Sequence, residues 1–182
     1  MLLVVAATSA ELASAGGVSA LACGVGPVEA AAATARALAE RPPGVVLHVG
    51  IAGGRGVPIG TLVIGSEAIY CDIGAAVPVV SRVAADAELL ARARSVLPEA
   101  WVRPIGTSGR VGGTRGTEVE AMEGFAVLRA AELAGVPAVE VRAVANEIDE
   151  PDRTRWRFAE ALAVLGEALP RLVAELSPAE RA

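Results

Sequence analysis

The stretch Val45-Val46-Leu47-His48-Val49-Gly50-Ile51-Ala52-Gly53-Gly54 decides the fold. Its first half is a short, nearly continuous apolar run without polar alternation, the pattern of a strand buried on both faces. Its second half is glycine-rich and reads as a turn in which that strand stops. A strand buried on both faces needs helices above and below the sheet, so the flanking sequence has to supply them. Pro27 to Glu40 is an Ala- and Leu-rich helical segment entered through Gly24-Val25-Gly26, with Pro27 in its first turn. Upstream, Leu2 to Ala7 and Val18 to Cys23 read as strands. Downstream, Leu62 to Tyr70 reads as extended, Ala84 to Val96 as a helix, Trp101 to Ile105 as a strand and Gly106 to Gly116 as a loop. Glu120 to Ala134 is predicted helical, stopped by Gly135 and Pro137; Ala138 to Val144 returns as a strand, and a last helix runs from near Asp152 towards Leu176. This alternation predicts an α/β fold with a sheet covered on both sides, whose ligands collect at the carboxyl ends of strands. The loops after Ala7, Val49, Ile105 and Val144 are therefore the places to look.

Composition narrows the chemistry. The chain has 182 residues, 53% hydrophobic and 20% charged, which is enough for one core; residues 1–176 are expected to form a single domain and 177–182 a frayed polar tail. All 16 basic residues are Arg, so Schiff-base, PLP and P-loop lysine chemistries are excluded. A net charge of -5 with dispersed Arg does not fit nucleic-acid binding. One His and two isolated Cys, Cys23 and Cys71, supply no four-ligand zinc site and no CxxC pair. The apolar runs are short and broken by Gly and Pro, so no bilayer span is expected. Met1 to Ala7 is apolar and Ala13-Ser14-Ala15 follows, but the first Arg is Arg36, so the segment reads as a strand rather than a leader. A cytoplasmic location is the expectation, with which two unpaired Cys agree.

Several motifs have a plain structural reading. Gly24-x-Gly26 starts like a dinucleotide fingerprint, but Glu29 stands where the third Gly belongs, and a tight strand-to-helix turn is the simpler account. Gly109 to Thr114 has phosphate-loop composition without the Lys, so it reads as a substrate-facing or flexible loop. His48, inside an apolar strand, reads as a satisfied structural histidine. The carboxylates are more informative. Glu11 follows the first strand directly, and Glu120 and Glu123 flank Met122 at a helix start, where negative charge suits the helix dipole. Glu11, Glu123, Arg142 and Asn146 each fall at a strand end or helix start on one edge of the sheet. A base, a hydroxyl acceptor, a cation and an amide there compose a plausible nucleoside site.

The ordered series Ala6-Ala7-Thr8-Ser9-Ala10-Glu11, Gly24-Val25-Gly26-Pro27, Gly50 to Gly54, Glu67 to Asp72, Glu120-Ala121-Met122-Glu123-Gly124 and Arg142-Ala143-Val144-Ala145-Asn146 resembles the purine nucleoside phosphorylase and nucleosidase superfamily. Its methylthioadenosine/adenosylhomocysteine nucleosidase and futalosine hydrolase branches are the most similar. The resemblance covers nearly the whole chain and rests chiefly on the Met-Glu-Gly element and the spacing to Arg142 and Asn146. It implies a three-layer αβα fold around a mixed, largely parallel sheet, and cleavage of an N-ribosidic bond without metal or organic cofactor. By that resemblance Glu11 is the water-activating carboxylate, Arg142 orients Glu11 and the water, and Glu123 accepts hydrogen bonds from the ribose 2'- and 3'-hydroxyls while Met122 packs on the sugar. Gly53 is expected among the substrate-binding residues, Val111 stands where the family stacks a side chain on the purine, and Asn146 addresses the purine near N7.

The adenine-specific nucleosidases carry Asp where this chain has Asn146. An amide cannot act as a general acid, but it can donate to N7 or to a carbonyl oxygen, which favours a 6-oxopurine. Like the futalosine hydrolase branch, the chain follows Asn146 with Asp152-Arg153 and Trp156. Asp152 reads equally well as a helix N-cap. The expectation is hydrolysis of a futalosine-type nucleoside to release hypoxanthine, as in menaquinone biosynthesis, by a homodimer or larger homo-oligomer. The alternatives are an adenine-releasing methylthioadenosine/adenosylhomocysteine nucleosidase, or a shortened homologue that binds nucleoside without turnover. A phosphorylase is disfavoured because no phosphate cradle is evident near the first strand, although Arg55, Arg110 and Arg115 are available. The segments Glu11 to Val18 and Asp72 to Glu120 are shorter than is usual in the superfamily.

Overall fold

A computed structural model describes residues 1–74 and 77–178. In chain order the elements are β1 (Leu2–Ala6), β2 (Ser19–Ala22), α1 (Pro27–Glu40), β3 (Val45–Gly54), β4 (Leu62–Tyr70), β5 (Arg82–Ala84), α2 (Ala87–Val96), β6 (Trp101–Thr107), β7 (Val119–Ala121), α3 (Gly124–Leu133), β8 (Ala138–Glu147), a 3-10 turn (Arg153–Arg155) and α4 (Phe158–Leu176). The expected α/β fold is present: α1 and α3 pack together on one side of a mixed sheet, and α2 and α4 on the other.

Amphipathic faces drive this layering. α4 buries Ala161, Leu165, Ala168, Leu169, Leu172 and Leu176, a stripe at helical spacing laid on β3 and β8. On the sheet side it meets Leu47, Val49, Val139, Val141 and Ala143. α1 and α3 cover Leu3, Val5, Val46 and Ala138 from the opposite face. In β3 and β8 successive residues therefore serve different layers, both apolar, which is why the Val45 run shows no alternation.

The sheet does more than lie flat. β3 pairs in parallel with β1 and β8; β8 pairs antiparallel with β4, β4 in parallel with β6, β6 in parallel with β7, and β7 antiparallel with β3. The last five pairings close a circuit, β3-β8-β4-β6-β7, while β1 and β2 extend it as a wing. Ala52, Val57, Val63, Ile105, Val119, Ala121 and Val144 form the small core associated with this circuit.

Four expectations need correction. The last helix, expected from near Asp152, begins at Phe158, because Asp152 caps the short 3-10 turn Arg153–Arg155 instead. The glycine-rich segment Gly50–Gly54 is not a turn: β3 continues through it, because β8 pairs with it along one edge and β7 with Gly53 and Gly54 along the other. The helix expected from Ala84 begins at Ala87, since Arg82–Ala84 pairs with β4 and Asp86 caps the helix by accepting from the Glu88 and Leu89 amides. The helix expected from Glu120 begins at Gly124, because Val119–Ala121 is a strand wedged between β3 and β6. Of the tail, Ser177 is fastened by its hydroxyl donating to the Val173 carbonyl at 2.7 Å, and residues 179–182 lie outside the described part. Among the described residues no helix is long and apolar enough to cross a membrane.

Candidate active site

The site is built on Gly53. In the sheet register Gly53 is flanked by Glu120 of β7 and Asn146 of β8, and a break in the β3–β8 register falls between Ala52 and Gly53. A side chain at 53 would press on Ile148 at 3.0 Å and on the Asn146 amide at 3.2 Å. Above this floor opens a cavity of about 400 Å3, within the range of small-ligand sites. Glu11, Gly53, Val111, Met122, Glu123 and Asn146 all line it. Arg142, the remaining residue singled out from sequence, lies buried beneath the floor.

Glu11 is placed by the turn after β1. One carboxylate oxygen accepts from the Thr8 amide at 2.9 Å and the Thr8 hydroxyl at 2.8 Å, and the other accepts from the Ile51 amide at 3.1 Å. Three donors to a carboxylate of about four acceptor positions leave it one for a further proton donor. The donors that fix Glu11 are thus Thr8 and Ile51 rather than Arg142.

Glu123 stands between β7 and α3. It accepts from the Gly26 amide at 3.0 Å and from the Arg142 guanidinium at 3.4 Å. Gly26 has φ +95°, so glycine there turns its N–H towards the carboxylate without backbone strain. The Gly24-x-Gly26 motif is therefore a tight turn at the start of α1 that serves Glu123.

Asn146 ends the buried part of β8. Its Nδ2 donates to the Glu147 carbonyl at 3.0 Å, which leaves one N–H and the side-chain carbonyl for the cavity. Val111 sits on the 108–116 loop and is 43% exposed. Two carboxylates hold that loop. Glu120 accepts from the Gly112 amide at 2.5 Å and from the amide and hydroxyl of Thr114, both at 2.8 Å, while Asp72 accepts from Ser108 Oγ at 2.9 Å and the Gly109 amide at 2.5 Å.

Trp156, Phe158 and Leu162 also line the cavity, as do Ala7, Val25 and Ile51. Sequence reasoning used Trp156 only as part of a resemblance and missed Phe158. A signal was available: the chain has two Trp, two Phe and one Tyr, and two of these five stand within three positions of one another. Their rings meet edge to face at 5.5 Å. Asp152 is an N-cap, accepting from the amide and hydroxyl of Thr154.

Electrostatics beneath the floor centre on Arg142. Burial disfavours its charge, but the carboxylates of Glu140, Glu123 and Glu11 outweigh burial and raise its pKa, so it remains a cation. Burial pushes the Glu140 carboxyl up, against the pull of Arg142. Burial and the neighbouring Arg142 hold His48 well below its ordinary pKa, so its ring is neutral. Burial, with the Glu123 charge adding to it, pushes the Cys23 thiol up to about 11, which leaves it protonated and no nucleophile at neutral pH.

This arrangement combines the cavity carboxylates of Glu11 and Glu123 on separate elements, a buried cation near both and an amide on the same floor. It is the equipment of an enzyme that acts at a sugar–base bond, carried on an α/β sheet. Residues 7–177 match the model of the phosphorylase superfamily, and the chain belongs to that family. Among curated proteins, a futalosine hydrolase of Streptomyces coelicolor is 38% identical over 182 aligned positions, covering 84% of this chain and 77% of that one. A futalosine hydrolase of Thermus thermophilus is 42% identical over 66 positions, 36% of this chain and 29% of that one. Among solved structures, a futalosine hydrolase mutant of Helicobacter pylori superposes with a TM-score of 0.87 at 17% identity, covering 96% of this chain and 99% of that one. A 5'-methylthioadenosine/S-adenosylhomocysteine nucleosidase of Neisseria meningitidis, in complex with methylthio-immucillin-A, gives 0.84 at 22% identity with coverage of 96% and 99%. These two structural likenesses establish the three-layer fold.

Proposed function

We propose that this protein hydrolyses the N-ribosidic bond of a futalosine-type purine nucleoside, releasing hypoxanthine and dehypoxanthinyl futalosine, a step of menaquinone biosynthesis. The observation that carries the reading is the amide of Asn146 on the cavity floor, opposite the carboxylates of Glu11 and Glu123. The S. coelicolor relative supports it.

In the reaction the C1'–N9 bond breaks with its electron pair going to the purine, water oxygen bonds to C1', and the water proton passes to Glu11. Glu11 suits this role because its two oxygens are held by Thr8 and Ile51 while one acceptor position stays open. Glu123, buried and fixed by Gly26 and Arg142, suits paired ribose hydroxyls. The free N–H of Asn146 suits N7 or O6 of a leaving 6-oxopurine, whose negative charge it steadies by hydrogen bonding. Met122 and Val111, which line the cavity, suit the sugar and base as apolar surface, and Trp156, Phe158 and Leu162 in the same lining suit a substituent at the ribose 5' end. None of these steps calls on a metal or organic cofactor.

A panel of futalosine, inosine and methylthioadenosine, each with and without phosphate, tests the assignment by chromatography of the released base. Hypoxanthine from futalosine, independent of phosphate, is the expected result. Dominant adenine release would install the adenine-releasing nucleosidase in its place, and equal release by wild type and Glu11→Gln would remove Glu11 from the chemistry. The reading extends to a cytoplasmic homodimer or larger homo-oligomer. The exposed apolar side chains Ile73, Val77, Val79 and Val80 support self-association, and light scattering on the eluting protein would read the mass directly.

A further inference from the structure

Under the floor, Arg142 is held from three sides. Its Nε donates to Glu140 Oε1 at 2.7 Å, one Nη2 hydrogen goes to His48 Nε2 at 2.5 Å, and the other points at Glu123 Oε2 at 3.4 Å. Nη1 donates to the Ile51 carbonyl at 3.5 Å. A guanidinium has five N–H groups, so one on Nη1 remains. That nitrogen and Glu11 Oε1 both crowd the space where a Gly50 side chain would stand, so the Nη1 end of the guanidinium lies near Glu11.

The partners of Arg142 are themselves set. His48 Nδ1 lies 3.0 Å from the Val5 carbonyl, so Nδ1 carries the hydrogen and Nε2 is left as the acceptor that Arg142 meets. The imidazole is fully buried, as is the Glu140 side chain, and the two come within 4.0 Å of each other. Glu140 Oε1 takes the shorter bond, whereas Oε2 is buried without a hydrogen-bond partner. Room for that carboxylate exists only because residue 124 is glycine, where a Cβ would stand 2.7 Å from the Glu140 carboxyl carbon.

A structural ion pair does not need this arrangement. A buried charge pair of this kind adds little net stability over an apolar pair of the same volume. What Glu140 changes is competition. Left to itself, a buried guanidinium 3.4 Å from Glu123 and close to Glu11 would collapse onto one of them in a short charge-assisted bond. By taking the short 2.7 Å bond, Glu140 keeps Glu123 at a longer distance, with its oxygens open to other donors. His48 fixes the rotation about the guanidinium plane.

We propose that Glu140 and His48 are positioning residues that act through Arg142, holding it short of Glu123 and Glu11 so that Glu123 stays available to sugar hydroxyls and the Nη1 end of the guanidinium stays near Glu11. This rests on the nucleosidase reading of the cavity. The test is steady-state kinetics on futalosine for Glu140→Gln and His48→Phe, each also in an Arg142→Gln background, with melting temperatures alongside. Expected is a loss of kcat of about tenfold or more for each single variant, with a smaller change in KM, and less than about twofold further loss when either is added to Arg142→Gln; the melting temperatures confirm that each variant is folded at the assay temperature. If Arg142→Gln is too slow for turnover, single-turnover rates at excess enzyme supply the same comparison. Wild-type kcat in both single variants, or equal losses in the two backgrounds, would overturn the proposal. Absence of purine release by the wild type would instead remove the nucleosidase reading beneath it.

Discussion

Gly50→Ala is the substitution that most directly interrogates the floor. Gly50 is the residue of β3 under which Arg142 passes, and its backbone is ordinary strand, outside the positive-φ glycines, so alanine adds a methyl group without conformational penalty. That methyl would stand 2.7 Å from Glu11 Oε1 and 3.2 Å from Arg142 Cζ, with Arg142 Nη1 nearer still. Ordinary contact begins near 3.4 Å, so the carboxylate must retreat by about 0.7 Å and the guanidinium by more. Neither can retreat freely. Glu11 would pull away from the Ile51 amide, and Arg142 from His48 and Glu123. Overpacking of this size costs about 1 to 3 kcal/mol, on the order of 5 °C in melting temperature for a chain of this size. A displacement approaching 1 Å at a reacting group costs about a hundredfold in rate. Kinetics on futalosine with a parallel thermal melt would therefore show a rate loss far larger than the stability loss implies. Wild-type turnover would mean that the two groups are not locked as described, and the account of the floor would have to be abandoned.

Three further outcomes follow from the same geometry. Asn146→Asp should move preference towards a 6-aminopurine by about tenfold to a hundredfold, because a carboxylate accepts where the amide donated; competition between inosine and adenosine measures this, and an unchanged ratio removes Asn146 as the base reader. Glu120→Ala deletes three hydrogen bonds that fasten Gly112 and Thr114, so KM should rise severalfold as Val111 loosens, with protease nicking in the 108–116 loop as the independent readout. The pKa of His48 is lower in the fold than in the unfolded chain, so its contribution to stability is complete above about pH 6.5 and is lost as pH falls through the folded value. His48→Phe should flatten that acid limb of the melting curve, and an identical limb in both proteins would show that His48 is not its source.

Much of this molecule could be read from the chain. α1 and β4 fall where periodicity and Pro27 put them, because local signals and burial agree there. The failures share a cause. Gly50–Gly54 carries the composition of a turn, yet it is strand, since pairing on both edges supplies the order that glycine itself does not favour. The glycines are there for space: Gly50 admits Arg142 and Glu11, and Gly53 admits Asn146. Glu120 looked like a helix-start acid, but backbone pairing with β3 and β6 makes it a strand residue, and its carboxylate fastens the loop before it through three donors. No local pattern announces such a role, because the donors become neighbours only after folding. Glu11, Glu123 and Asn146 were expected to come together from their positions at element ends, and all three line the cavity. His48 was read as a satisfied buried histidine, and it is satisfied at both nitrogens; that one of those partners is Arg142 is information carried by the pairing of β3 with β8.

The closed circuit of β3, β8, β4, β6 and β7 has a bearing on how proteins of this build could change their substrates. A strand in an open sheet can slide or splay to widen a pocket, whereas one hydrogen-bonded along both edges in a ring can do neither without breaking a neighbour's pairing. Gly53, Glu120 and Asn146 lie on such strands, so the floor of the cavity is fixed in outline. Freedom is left to the 108–116 loop and to the segment from Asp149 to Arg157, which carry Val111 and Trp156 and end no ladder. New side chains or insertions there would alter what is enclosed while the cavity floor stays as it is, so diversification in this architecture is channelled to the rim.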